Sequence, residues 1–380
     1  MAEPVNPLSV ADAADLRRLA ELAEVSVSLI AGAQDASGAY PAAVGFTPYG
    51  FSWFRDGAFI AEGMSRAGAA SSATAFHEWC ARVLVRESAA VDALVARVSA
   101  GEQPTDAELL PARYTLAGER HEDDWWNYQV DGYGTWLWAL RTHLSRWGGS
   151  AAPYTAAAET AARYLAAVGD RTCRDWWEEH RDQTHVSTLA SVYGGLRAAA
   201  ELGMSPSTAS AAAAAAERVE ALVVRSGTHE GALRKWLGST EVDASLVVAG
   251  VPFGLVDPSG PVMTETVARV TAELTTPGGG VHRYATDTFY GGGQWPILAG
   301  FLGWHHAVVG ERERAMELLR WIASTADPSG RLPEQLPPTL APDVLPEWLE
   351  RWGPSARPLL WSHGMYLVLA AELGVLGPAR

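Results

Sequence analysis

Apolar residues recur at three-and-four spacing in about twelve stretches of this chain, and no stretch alternates in the way a strand ladder requires. The spacing predicts helices at about 8–33, 56–67, 70–99, 130–146, 152–169, 184–202, 206–226, 241–249, 259–275, 293–309, 312–327 and 359–374. The run of alanines from Ser210 to Ala216 falls inside one of them and reads as a strong helix former.

The connections alternate between two kinds. Short turns rich in small residues follow the second, fourth, sixth and tenth helices, at Gly68, Gly148–Ala152, Gly203–Ser207 and Gly310–Glu311. Long, chemically rich segments fill roughly 34–55, 100–129, 170–183, 227–240, 276–292 and 328–358. Short turns join antiparallel neighbours, and long loops gather at one end of a scaffold and carry function. Six helix pairs arranged in this way predict an all-α (α/α)6 barrel, a six-hairpin toroid with one active face. No Ser/Thr/Pro-rich linker interrupts the pattern, so residues 1–380 read as a single catalytic domain.

Composition excludes several partners. A net charge of −15 argues against nucleic acid and against an anionic membrane surface. Cys80 and Cys173 alone make neither a disulfide framework nor a metal-ligand spacing, and they read as small apolar fillers. No apolar run reaches the roughly 18 residues of a membrane span, and Met1–Ser9 lacks the pattern of an export signal. The default is a soluble cytoplasmic protein with no metal or other cofactor and an undetermined oligomeric state. The 16 tryptophans, 11 tyrosines and 8 phenylalanines set among many alanines and glycines exceed what a core needs, and they point to stacking surfaces, for which sugar rings with their apolar C–H faces are one natural partner.

The long loops hold the candidate chemistry. Asp175, Trp176, Trp177, Glu178, Glu179 and His180 place adjacent carboxylates beside indoles, a setting that disfavours the charged carboxylate. Taken alone, the cluster also reads as core tryptophans beside a solvated acidic helix start. The first loop delivers Tyr49, Trp53, Arg55 and Asp56; alone, the last two read as a helix N-terminal pair, but in a pocket they supply the fork and the acceptor that sugar hydroxyls need. The second loop carries Asp123, Asp124, Trp125, Trp126, Asn127, Tyr128 and Asp131, and the fourth Arg234, Lys235 and Trp236, balanced between surface and site. The fifth holds Arg283, Tyr284, Asp287, Tyr290, Gln294 and Trp295, and the sixth sets Glu334 and Gln335 among prolines. Two carboxylates on separate loops of one face, ringed by aromatics and arginine, fit glycoside hydrolysis, one protonating the leaving oxygen and the other attacking or activating water.

These residues resemble glycoside hydrolase family 15, the glucoamylase and glucodextranase group, over nearly the whole chain. That family has an (α/α)6 catalytic barrel and inverts at the anomeric carbon. Trp53, Arg55 and Asp56 match a motif whose Arg and Asp hold the terminal glucose, and Tyr49 matches a stacking tyrosine. Trp125 is similar to the tryptophan that shapes the next subsite. Trp177 and Glu178 match the motif of the general acid, and Glu179 the acidic residue that touches the leaving sugar. Arg283, Tyr284 and Trp295 resemble residues near the bound glucose. Glu334 and Gln335 match the pair whose glutamate is the general base, and Leu360, Trp361, Ser362 and His363 the helix that follows.

The resemblance implies an inverting, exo-acting α-glucosidase that releases β-glucose from the nonreducing end of a small disaccharide or oligosaccharide. The bare catalytic domain favours α-1,6-linked isomaltose, with trehalose and maltose open. Two other classes remain at this level: a sugar epimerase using histidine pairs, for which His180, His185, His282, His305, His306 and His363 are available, and a sugar-binding protein without catalysis. Asp243 matches a family position and reads equally well as a helix cap.

Overall fold

The computed structural model describes residues 10–121, 125 and 128–376. Asp123, Asp124, Trp126 and Asn127, singled out in the sequence, lie outside the described residues. Among the described residues the helices are α1 (Val10–Ala33), α2 (Phe54–Arg66), α3 (Ala70–Ser99), α4 (Asp131–Trp147), α5 (Thr155–Val168), α6 (Val186–Ala199), α7 (Pro206–Ser226), α8 (Pro261–Leu274), α9 (Pro296–Val308), α10 (Arg312–Ser324), α11 (Leu345–Trp352) and α12 (Leu360–Glu372).

Two elements differ from expectation. The stretch predicted as a helix at 241–249 is a short 3₁₀ segment, Ala244–Ala249. Asp243 caps it by accepting from Ser245 N, and Gly250 and Pro252 stop it before a full α-turn is established. Conversely, α11 forms inside a span read from the sequence as loop. Two-residue antiparallel ribbons also occur, β1 (Ser52–Trp53) with β2 (Arg113–Tyr114) and β3 (Thr228–His229) with β4 (Ala232–Leu233).

The helices form two concentric rings. α2, α4, α6, the 3₁₀ segment, α9 and α12 touch in that order, and α12 closes back on α2; α1, α3, α5, α7, α8 and α10 pack outside them. The inner helices are covered on nearly every side, and the charged residues they bury, such as Arg55, Asp56 and Glu62, are held in ion pairs. Every residue from Phe54 to Ser65 of α2 is buried, and so is Leu360–Ala370 of α12. Glycine lets these helices approach: a Cβ on Gly134 of α4 would lie 2.2 Å from Ser191 O of α6, and one on Gly63 of α2 would lie 2.4 Å from Gly364 O of α12.

The six long connections each lead into the N-terminus of an inner element, so all the inner N-termini face one end. Their unpaired amides and partial positive charge favour oxygen-rich, anionic groups there. The opposite end is tied by Glu62, which accepts from Arg66 at 2.6 Å and from Arg146 at 2.7 Å. The axis itself is plugged by aromatic rings: Phe59 stacks on Trp361 with centroids 5.8 Å apart and meets Phe301 edge-on at 4.9 Å. Among the described residues no helix is long and apolar enough to cross a membrane.

Candidate active site

Above the aromatic plug, the inner N-termini surround a cavity of about 840 Å³. Tyr49, Trp53, Arg55, Asp56, Trp125, Trp177, Glu178, Glu179, Arg283, Tyr284, Trp295 and Glu334 all line it. Gln335 does not; its Oε1 accepts the Gly293 N–H at 2.8 Å, so it braces the neighbouring loop instead.

Trp176 and Trp361 form the floor, and the Arg55 guanidinium lies 5.8 Å and 5.4 Å from their rings. Arg55 donates to Gln129 Oε1 at 2.8 Å and to Asp131 Oδ2 at 2.9 Å, while its Nε stands 3.5 Å from Asp56 Oδ2. Two buried carboxylates thus share one cation. Burial pushes Asp56 up to about 7, against the pull of Arg55.

Glu178 sits at the tip of a turn built by Asp175. Asp175 Oδ1 accepts the backbone N–H groups of Trp177 at 3.0 Å and Glu179 at 2.9 Å, and Glu178 between them adopts φ 67°. A glutamate in the left-handed region costs roughly 1–2 kcal/mol, and such strain collects at functional sites. Tyr290, also on the cavity wall, has φ 48°. The Glu178 carboxylate accepts from Trp53 Nε1 at 2.8 Å. Burial raises its pKa, opposed first by Arg55 and then by the Trp53 hydrogen bond.

Glu334 is carried on the other side by the 332–334 segment. His363 Nε2 accepts Leu332 N–H at 3.0 Å, Ser362 Oγ donates to Pro333 O at 2.7 Å, and Glu334 N donates to Ala356 O at 2.9 Å. His363 must be neutral to accept, and burial lowers its pKa to about 3. Glu334 Oε1 accepts the Tyr49 hydroxyl at 2.7 Å, and Oε2 is buried with no partner among the described residues. Burial pushes Glu334 up to about 7, partly offset by the Tyr49 hydrogen bond.

The rest of the wall is also interlocked. Tyr284 donates to Glu179 Oε2 at 2.6 Å; Arg283 is 3.4 Å from Glu179 Oε1 and is held by Asp287 through Nε at 2.7 Å. Asp243 is both a cap and a site-facing acceptor: Oδ1 takes Ser245 and Oδ2 takes Trp177 Nε1 at 2.9 Å. Asp175, Glu179 and His180 bring ligand-type atoms within 4.8 Å of one another. Lys235 and Arg283 already face these carboxylates, and that positive charge opposes a metal ion there.

Sequence reasoning missed part of the mouth. Trp348, Arg351 and Trp352 of α11 line the cavity, Trp348 against Phe289 and Tyr290 at 4.9 Å and 5.6 Å, and Trp352 against Trp125 at 6.4 Å. A signal was present: Pro346 and Glu347 early, Arg351 late and tryptophans four apart mark about two turns of amphipathic helix. Arg113 was also missed; β1 pairing sets it opposite Trp53, with its guanidinium 4.0 Å from the Phe51 ring and 4.1 Å from Trp125. Arg234 is buried away from the cavity, donating to His229 O at 2.7 Å.

Of the histidines that an epimerase reading requires, only His180 lines the cavity. His185 is bonded to the Cys173 and His180 carbonyls, His282 Nδ1 to Gly292 O, and His305 and His306 lie at the far end of α9.

The model of glycosyl hydrolases family 15 matches residues 19–327. Isomaltose glucohydrolase of Kribbella flavida is 49% identical over 373 residues, which are 97% of this chain and 96% of that protein. A solved glycosidase in complex with glucose has 49% identity and a TM-score of 0.93 over 96% of this chain and 99% of its own. Glucoamylase from Saccharomycopsis fibuligera shares the fold at 13% identity, with a TM-score of 0.70 over 100% of this chain and 99% of its own.

Proposed function

The chain belongs to glycosyl hydrolases family 15, and from that premise we propose that it releases β-glucose from the nonreducing end of isomaltose, with Glu178 as general acid and Glu334 as general base. The observation that carries the role assignment is that both glutamates line one cavity, each steadied by a donor from the same short segment, Trp53 for Glu178 and Tyr49 for Glu334. Similarity along 96% of the isomaltose-cleaving relative supports the choice of linkage.

In the reaction, Glu178 gives its proton to the glycosidic oxygen as the C1–O bond breaks. Water attacks C1 from the opposite face, and Glu334 Oε2 takes the proton that water loses. The product is glucose with inverted anomeric configuration, and solvent returns the proton from Glu334 to Glu178. This needs carboxyl groups about 6.5–9.5 Å apart. Burial raises the Glu178 pKa, the direction a general acid needs. Glu334 has to be ionised in the productive complex, so its raised pKa sets the lower edge of the working pH range.

Arg55 and Asp56 close the cavity around one glucose, with Tyr49 and Trp53 as walls; Trp125, Glu179 and Arg283 meet the second sugar. The tryptophans of α11 narrow the mouth, which favours a disaccharide over a polymer. We take residues 1–380 as one catalytic unit, since five of the six long connections line one cavity, and we place it in the cytoplasm, consistent with two free buried cysteines. Incubation with isomaltose, maltose and trehalose, following the anomers of released glucose by NMR, tests the reading. β-Glucose appearing first from isomaltose supports it; α-glucose first, or a preference for maltose or trehalose, overturns the mechanism or the linkage respectively.

A further inference from the structure

Lys235 does not line the cavity, yet it is one of the most buried charged residues in the protein, at 2% exposure. Its backbone is clamped, N–H to Glu241 O at 2.9 Å and carbonyl to Val186 N at 3.1 Å. Its Nζ lies 3.4 Å from Asp243 Oδ2, 3.8 Å from Asp175 Oδ2 and 3.0 Å from the centre of the Tyr284 ring.

Each of those three groups holds a part of one short segment. Asp175 takes the backbone N–H groups on either side of Glu178. Asp243 takes the Trp177 indole N–H, and Tyr284 donates to the Glu179 carboxylate. Lys235 therefore stands behind Trp177, Glu178 and Glu179 at once, without touching the sugar side.

We propose that Lys235 is a positioning residue for the general acid, its ammonium joining Asp175, Asp243 and Tyr284 into one frame that aims the Glu178 carboxyl at the leaving oxygen. A buried Asp175 with no cation beside it would neutralise by taking up a proton. A neutral Asp175 is a weaker acceptor for two amides, and the left-handed turn at Glu178 relaxes when those amides are released. Burial already pushes Asp175 up to about 7, with Lys235 the largest opposing influence.

The inference rests on Glu178 being the general acid, and the test separates the two. Isomaltose needs a proton on its leaving oxygen, whereas α-glucosyl fluoride loses fluoride with little help. Lys235→Met is expected to lower kcat on isomaltose about 10- to 100-fold with KM nearly unchanged, and kcat on the fluoride by less than about threefold. Lys235→Arg is expected to fall between wild type and Lys235→Met on isomaltose, since a planar guanidinium cannot reproduce the same three contacts. Should the methionine variant fail to fold, the arginine variant carries the same comparison. Glu178→Gln serves as the reference, with the same asymmetry but larger. Equal losses on both substrates, or no loss on isomaltose, in a folded Lys235 variant while Glu178→Gln remains asymmetric overturn the role of Lys235. Symmetric losses in Glu178→Gln overturn the assignment of the acid, and the role of Lys235 with it.

Discussion

Tyr49 and Glu334 stand 285 positions apart in the chain, and the tyrosine hydroxyl donates to Glu334 Oε1 over 2.7 Å. The bond leaves Oε2 to act as the base, and it stabilises the ionised carboxylate against burial. Tyr49→Phe is expected to raise the Glu334 pKa, because the donated bond favours the charged form. The acidic limb of the rate profile then moves to higher pH, by about one pH unit for a charged hydrogen bond. Rate measurements across pH on isomaltose check it.

For the wild-type enzyme, Glu334 must be ionised, and burial pushes its pKa up to about 7. kcat/KM is therefore expected to fall as pH drops below about 7, and to fall again at high pH as Glu178 loses its proton. A profile flat down to pH ~5 would remove Glu334 from the role of base.

Glu178→Gln and Glu334→Gln are each expected to lower kcat by about 10²–10⁴-fold or more while glucose binding persists. Calorimetric titration with glucose beside a turnover assay separates the two effects.

Trp53→Phe keeps an aromatic ring, smaller than the indole, and removes the N–H that Glu178 accepts at 2.8 Å. That bond lowers the Glu178 pKa, so its loss raises it, and the alkaline limb is expected to move upward. No movement of that limb would place the titrating acid elsewhere.

Gly134→Ala would put a methyl group 2.2 Å from Ser191 O, between two inner helices that are backbone-to-backbone. Destabilisation of about 1–3 kcal/mol or more is expected from overpacking, read by urea denaturation.

Helix periodicity and the alternation of short and long connections were enough to indicate a six-hairpin toroid, because short turns join antiparallel neighbours and long loops gather at one end. Arg55, Asp56, Glu178 and Glu334 stood out equally by residue type and loop position, and all four line the cavity. Other features were decided only in three dimensions. Lys235, balanced in sequence between surface and site, is set between Asp175 and Asp243 only by folding, and the Gln335 oxygen is taken by the Gly293 N–H only there. The place of α11 at the cavity mouth likewise depended on ring contacts with Trp125 and Phe289 from distant parts of the chain. Local spacing records which face of an element is buried; which charges meet, and how far a carboxyl is lifted by losing water, depend on contacts across hundreds of residues.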